Sequence, residues 1–145
     1  MVVKKTGEQK YGEYRSFIKE SAGPDLPTHL DTEKASLALF VTANTLGKGN
    51  EDHGELLIKS FFYAMSHNDQ LPQFIVFINK GVFLSCEGSA VLKVLIDLEK
   101  QGVGIYTSGA CLDHYQIKHK LCVGVISNMY TIWEKLSMVE KVLTI

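Results

Sequence analysis

Three cysteines, Cys86, Cys111 and Cys122, are the residues of this chain best suited to covalent chemistry. An odd number at irregular spacing is no disulfide framework, so each thiol is either a small packing residue or a reactive one. Cys111 stands in SGACLDHY, just past an apolar run of strand length and at the start of a possible helical turn. A thiol there meets unpaired backbone N–H groups and the positive end of a short helix dipole, both of which favour the reactive thiolate. Lys80 and His114 are candidates to add positive charge. Asn44, Asn79 and Asn128 stand at or near predicted strand or helix ends. Their amides either orient a small anion or a thiolate, or close a turn, which is the commoner job of asparagine. Cys86, in SCEGS, precedes a predicted helix and could be another helix-start thiol, but the adjacent Glu87 opposes a thiolate and an ordinary loop or helix-cap neighbour is the favoured reading. Cys122, in LCVGVI, reads as a buried thiol acting as a small hydrophobe.

Other constellations carry less. Cys111, His114, His119 and Cys122 spell C-x2-H-x4-H-x2-C, residue types that suit zinc, yet the central gap is shorter than in structural zinc sites. No metal and no organic cofactor is expected. The loop from Gly47 to Gly54 matches neither G-x-G-x-x-G nor G-x-x-x-x-G-K-[ST]. Glu51, Asp52 and Glu55 crowd the following helix start, where a phosphate needs positive potential. That loop reads as a tight strand-to-helix turn with acidic capping residues. His53 and His67 flank the helix as solvated residues. Tyr130 and Trp133 fall on a predicted helix, with the core or a subunit contact as their default places. The spacing supports neither a Ser/His/Asp triad nor a paired-carboxylate site.

The elements that must position these residues follow from periodicity. Residues 37–42 (LALFVT) and 74–78 (FIVFI) are continuous apolar runs of strand length. Residues 54–67 read as a helix with Leu57, Phe61, Ala64 and Met65 on one face, widened by Leu56, Ile58 and Phe62. Residues 89–101 form a second helix on Val91, Leu95 and Leu98, with Gly102 as its stop. Strands are expected at 103–107, 121–126 and 141–145, and a helix at 128–136. This alternation predicts an α/β fold, a mainly parallel sheet covered on both faces. In such sheets ligands bind at the carboxyl ends of the strands. The three strand ends are Asn44-Thr45, Asn79-Lys80-Gly81 and Ser108-Gly109-Ala110-Cys111, so Cys111 is the one cysteine placed directly on that edge. Residues 1–34 differ: they are polar, hold two of the three prolines, and offer only short possible strands at 2–5 and 14–18 before a linker at 21–32.

With 145 residues, 46% hydrophobic and 21% charged, the chain has the size and composition of one globular domain. A net charge of −1 excludes a polybasic nucleic-acid binder. No apolar run reaches membrane-span length, and MVVKKTGEQK lacks the apolar segment of a secretory signal. A cytoplasmic location is the expectation, with neither nucleic acid nor membrane as partner.

The stretches NTLGKGNEDHGELLIKSFFYAM, FIVFINKGVFLSCEGS and GVGIYTSGACLDHYQIKHKLCVGVISNMYTIWEKL resemble the DsrE-like domain of YedF-type proteins, which are sulfurtransferase-like and linked to selenium metabolism. The resemblance covers about residues 36–145, and CLD-x-Y…VG-x-x-SNMYTI is its most specific string. It implies a three-layer α/β/α sandwich with a largely parallel five-stranded sheet, a homo- or hetero-oligomer, and sulfur carried as a cysteine persulfide. A homo-oligomer, dimer or trimer, is the expectation here, because three apolar-rich helices and an aromatic-bearing one exceed what a small sheet can cover. Family members show C-G-x-C before L-D. Cys111 matches the second cysteine, Gly109 the glycine, and Ser108 stands where the first cysteine would be. Without a resolving thiol, Cys111 must pass its sulfur to an outside acceptor, or the activity has been lost. Residues 1–34 then read as an N-terminal extension and linker, the possible tail of a TusA-like domain, and 35–145 as the DsrE-like domain.

The expected function is a sulfur or selenium carrier. A persulfide donor and a thiol acceptor are its partners, and a TusA-like domain is a possible third. Support at the sulfur is expected from the backbone of residues 109–112, Asn79 and His114. The alternative is a non-catalytic small-anion-binding or assembly module working through the first loop and the Trp133 helix. A nucleotide-binding flavodoxin-like domain is a third reading.

Overall fold

The apolar runs become the strands expected of them. The structure, a computed structural model, describes residues 35–145; the predicted strands at 2–5 and 14–18 and the linker lie outside the described residues. Five strands, β1 (Leu37–Val41), β2 (Phe74–Phe77), β3 (Gly104–Ser108), β4 (Val125–Ser127) and β5 (Lys141–Thr144), pair in the order β4-β3-β2-β1-β5. Every pairing is parallel. The helices are α1 (Glu51–Ser66), α2 (Leu92–Lys100), α3 (Gly109–His114) and α4 (Met129–Met138), with 3-10 segments at Asn79–Ser85 and Lys118–Lys120.

Register sorts the side chains into two faces, because successive residues of a strand point to opposite sides. Leu39, Ile75 and Ile105 lie level on one face. There they join Ile58 and Phe62 of α1, Leu95 and Leu98 of α2 and Leu112 of α3 in the larger core cluster. Ala38 and Phe74 lie level on the other face and, with Val76, pack against Ile132 of α4. The result is a three-layer α/β/α sandwich in which, among the described residues, one outer layer is a single helix.

Several boundaries and faces differ from the sequence expectation. Helix α1 begins three residues early, at Glu51. Asn50 caps it, its Oδ1 accepting the His53 N–H at 2.9 Å, and Glu51 and Asp52 occupy the first turn, where negative charge suits the helix dipole. The buried stripe of α1 is Gly54, Ile58 and Phe62; Leu57 and Ala64 are exposed, while Phe61 and Met65 are half-buried. Two overlapping apolar stripes run along this helix, and periodicity alone does not say which meets the sheet. Helix α2 is shorter than 89–101, but Val91, Leu95 and Leu98 are buried as predicted.

The fourth strand is 125–127 rather than 121–126. Residues just before it are held elsewhere: Leu121 bridges antiparallel to Cys86 and the Cys122 N–H donates to the Ser85 carbonyl at 3.0 Å. Cys122 is therefore exposed and is no core residue. Tyr130 and Trp133 are likewise outside the core, at 81% and 72% exposure. No helix among the described residues is long and apolar enough to cross a membrane.

Candidate functional site

The site is built where β2 and β3 end. After β2 the chain turns sharply over the end of β1: the Ile78 N–H donates to the Val41 carbonyl at 3.0 Å, and the Gly81 N–H returns to Ile78 at 2.9 Å. The turn requires glycine at 81, because a Cβ there would collide with the Val41 carbonyl oxygen. It also holds Asn79 at φ 49°, a left-handed conformation that asparagine tolerates better than most residues. The 3-10 segment that follows is tied to β3 by a buried hydroxyl pair, Ser85 Oγ and Thr107 Oγ1, at 2.9 Å.

From that position the backbone N–H of Asn79 donates to Cys111 Sγ at 3.1 Å. The Asn79 side chain is fixed in turn, its Oδ1 accepting the Tyr115 hydroxyl at 2.7 Å. The Tyr115 ring sits 4.9 Å from Phe83 and 4.9 Å edge-on from His114. On the other side, Ser108 ends β3 and caps α3, its Oγ accepting the Cys111 N–H at 3.3 Å. Gly109 is buried at the start of α3, where a Cβ would press on Ile126 Cγ2 at 2.8 Å. Cys111 itself is half-buried, its apolar side against the larger core cluster. A thiolate at Cys111 Sγ has a fixed hydrogen-bond donor and an open side.

Two solved structures share this architecture. One is the protein of unknown function MTH1491 from Methanobacterium thermoautotrophicum, with TM-score 0.56 and 16% identity over 77% of this chain and 99% of that one. The other is the ychN protein from E. coli, with TM-score 0.53 and 18% identity over the same shares. The fold is DsrE-like. No family model and no curated protein matches the sequence.

Within this DsrE-like fold the candidate residues divide. Cys111, Ser108, Gly109 and Asn79 come together. His114 is exposed and meets the site through the Tyr115 ring; Lys80 is exposed beside Asn79. Asn44 belongs to a different feature, a cleft of about 240 Å³ lined by residues including Glu55, Ile58, Lys59, Phe83 and Glu87. Asn128 caps α4, accepting the Thr131 N–H at 3.0 Å. Cys111, His114, His119 and Cys122 do not converge, and no group of three or more His, Cys, Asp or Glu among the described residues is placed to hold a metal. The six-residue α3 is too short for its dipole to dominate; the donor to the sulfur comes instead from the end of a neighbouring strand.

Tyr115 is the residue that sequence reasoning missed. It follows Cys111 by four positions, a spacing that puts both on one side of a helical turn. Tyr115→Phe removes the hydroxyl that fixes Asn79. A lost hydrogen bond of about 1 kcal/mol predicts Cys111 alkylation or sulfur uptake roughly three- to tenfold slower, with thermal stability changed little. An unchanged rate in stopped-flow alkylation shows that Asn79 needs no such brace.

Cys86 is the contrasting thiol. It is 2% exposed and donates to the Val82 carbonyl at 3.2 Å. Burial pushes its pKa up from the usual 9.0, against a smaller opposing effect of Ser85. The native state thus prefers the protonated thiol. The stability this gives is fully present below the unfolded-state value and is lost as pH rises through the folded one. Wild type is therefore expected to lose more thermal stability than Cys86→Ala between pH 8 and pH 10 (about the range that brackets a free thiol). Parallel melting-temperature profiles for the two proteins contradict the assignment.

Proposed function

We propose that this domain carries sulfur, or selenium, as a persulfide on Cys111 and exchanges it by sulfurtransferase-like chemistry. The observation that supports the reading most is the Asn79 N–H aimed at Cys111 Sγ at 3.1 Å from a left-handed residue. A main-chain donor held in an uncommon conformation and braced by Tyr115 is a structural investment at a sulfur atom, and an inert packing thiol such as Cys86 has no such arrangement.

In the forward step the Cys111 thiolate attacks the outer sulfur of a donor persulfide. A sulfur–sulfur bond forms at Cys111, the donor's sulfur–sulfur bond breaks, and the donor thiolate leaves with the electron pair. The proton of the terminal sulfur stays or passes to water. In the return step an acceptor thiolate attacks the same outer sulfur and Cys111 departs as thiolate. No net oxidant or reductant is consumed. The Asn79 N–H serves the inner sulfur whenever it carries negative charge. Ser108 supplies the cap of α3 and no thiol, so discharge runs to an external acceptor. The donor and acceptor are thiol-bearing proteins or small thiols, with a TusA-like domain among the candidates.

The test is incubation with a small-molecule persulfide, followed by peptide mass spectrometry without reductant. One added sulfur atom on the Cys111 peptide, absent from the Cys86 peptide, is the expected result. Equal loading of all three cysteine peptides, or none at Cys111, refutes the reading. In that case the non-catalytic binding module is the better account, and the cleft beside Asn44 is where its ligand belongs.

A further inference from the structure

We infer that the cleft beside Asn44 binds a small zwitterion, a free α-amino acid with an apolar side chain. The cleft lies where the winding of the sheet changes direction. From β1 the chain moves outward through β2, β3 and β4, then returns to lay β5 on the opposite side of β1. The carboxyl end of such a strand is a topological switch point, where open α/β sheets bind ligands. Asn44 follows the end of β1 closely and lines the cleft. The first half of α1 forms one wall, and the 3-10 segment with the turn into α2 forms the other.

Four polar groups stand around an apolar floor. The floor is Ile58, Leu84 and Val91, all buried. The polar groups are the carboxylates of Glu55 and Glu87, the ammonium of Lys59 and the amide of Asn44. Glu55 and Lys59 are one helical turn apart on α1 with the glutamate N-terminal, the order that most readily forms a helix ion pair. They form none. Among the described residues, these three charged groups and the Asn44 side-chain amide make no ion pair or hydrogen bond with the protein. Their bonding capacity stays available to a ligand.

Charge selects the class of ligand. Two carboxylates against one ammonium repel a simple anion such as phosphate, and Lys59 opposes a simple cation. A molecule carrying both an ammonium and a carboxylate answers both signs. Its ammonium meets Glu55 and Glu87, and its carboxylate meets Lys59 and the Asn44 side-chain N–H groups. Size selects further. The cleft of about 240 Å³ is smaller than the pockets that hold drug-sized ligands, a volume that suits one amino acid rather than a nucleotide or a peptide. The floor of Ile58, Leu84 and Val91 offers no polar partner, so the side chain resting on it is apolar. Binding here calls for no chemistry at Cys111 and holds whether or not that residue carries sulfur.

The test is titration of the full chain with L-leucine, followed by backbone amide chemical shifts. Isopentylamine, which lacks the carboxylate, and 4-methylpentanoate, which lacks the amine, are titrated alongside. L-Leucine is expected to saturate one site with a Kd of about 0.1–1 mM, modest because the ligand has few atoms. The shifts should centre on Asn44, the first half of α1 and the turn into α2. Each partial ligand should bind at least roughly tenfold more weakly. Lys59→Met keeps the methylene stem and drops the charge. It should weaken L-leucine at least roughly tenfold and leave isopentylamine unchanged. Glu55→Gln combined with Glu87→Gln should weaken both. Glu55 and Glu87 are exposed and Lys59 half-buried, so melting temperatures should stay within about 2 °C of wild type. No saturation by L-leucine up to about 10 mM, well above the weakest expected constant, overturns the inference. So do a partial ligand that binds as tightly as L-leucine, full L-leucine affinity in either variant, or shifts centred elsewhere.

Discussion

Cys111→Ser is expected to abolish persulfide uptake, lowering it by at least about two orders of magnitude, because a serine hydroxyl is not ionised near neutral pH and is a far weaker nucleophile towards sulfur. Stability should stay within about 1 kcal/mol of wild type. The serine oxygen can accept the same Asn79 N–H that now meets Cys111 Sγ, so no buried donor is orphaned. Cys86→Ala and Cys122→Ser are the comparison. Cys86 is sealed in the core and Cys122 sits in a surface segment, its thiol donating to its own neighbourhood at the Lys120 carbonyl. Both variants should load sulfur as wild type does. The measurement is sulfur retained per chain after gel filtration. Undiminished loading of Cys111→Ser places the chemistry elsewhere and removes the carrier reading.

The second large effect concerns the turn that aims the donor. In Gly81→Ala the new methyl group would collide with the Val41 carbonyl oxygen, a backbone atom that already accepts the Ile78 N–H. Neither side can move freely, since Val41 lies in β1, paired on both flanks within the sheet, and the 3-10 segment is locked to β3 through Ser85 and Thr107. Overpacking against rigid backbone predicts a loss of about 3 kcal/mol. For a domain of this size that is a melting temperature lower by roughly 10–15 °C. Displacing residue 81 also displaces Asn79, so Cys111 should alkylate at a changed rate below the transition. A melting temperature within about 2 °C of wild type, well under the shift of even 1 kcal/mol, shows that the turn relaxes without cost.

Trp133 and Tyr130 were natural candidates for the core or a subunit contact, and the fold excludes the core. What the helical period of 128–136 shows is an apolar helix; it does not show that Ile132 alone would be turned fully inward. The same ambiguity arose on α1, where the stripe through Leu57 and Phe61 lost to the one through Ile58 and Phe62.

The division between what was legible and what was not has a simple origin. Local pattern settled the strand runs 37–42 and 74–78, the inward stripe of α2, the acidic first turn of α1, the parallel α/β class, and the place of Cys111 just past a strand. All of these depend on residues within a few positions of one another, where periodicity and capping chemistry act. Tertiary structure decided the rest. The Asn79 amide reaches Cys111 across 32 positions, and only the adjacency of β2 and β3 makes that contact. Cys86, expected as a loop or helix-cap neighbour, is buried, and Cys122, expected as a buried small hydrophobe, is exposed, where an antiparallel bridge from Cys86 to Leu121 joins segments distant in sequence. The placement of α4 over the Ala38 and Phe74 side of the sheet is likewise a property of strand order and helix placement, which no window of sequence contains.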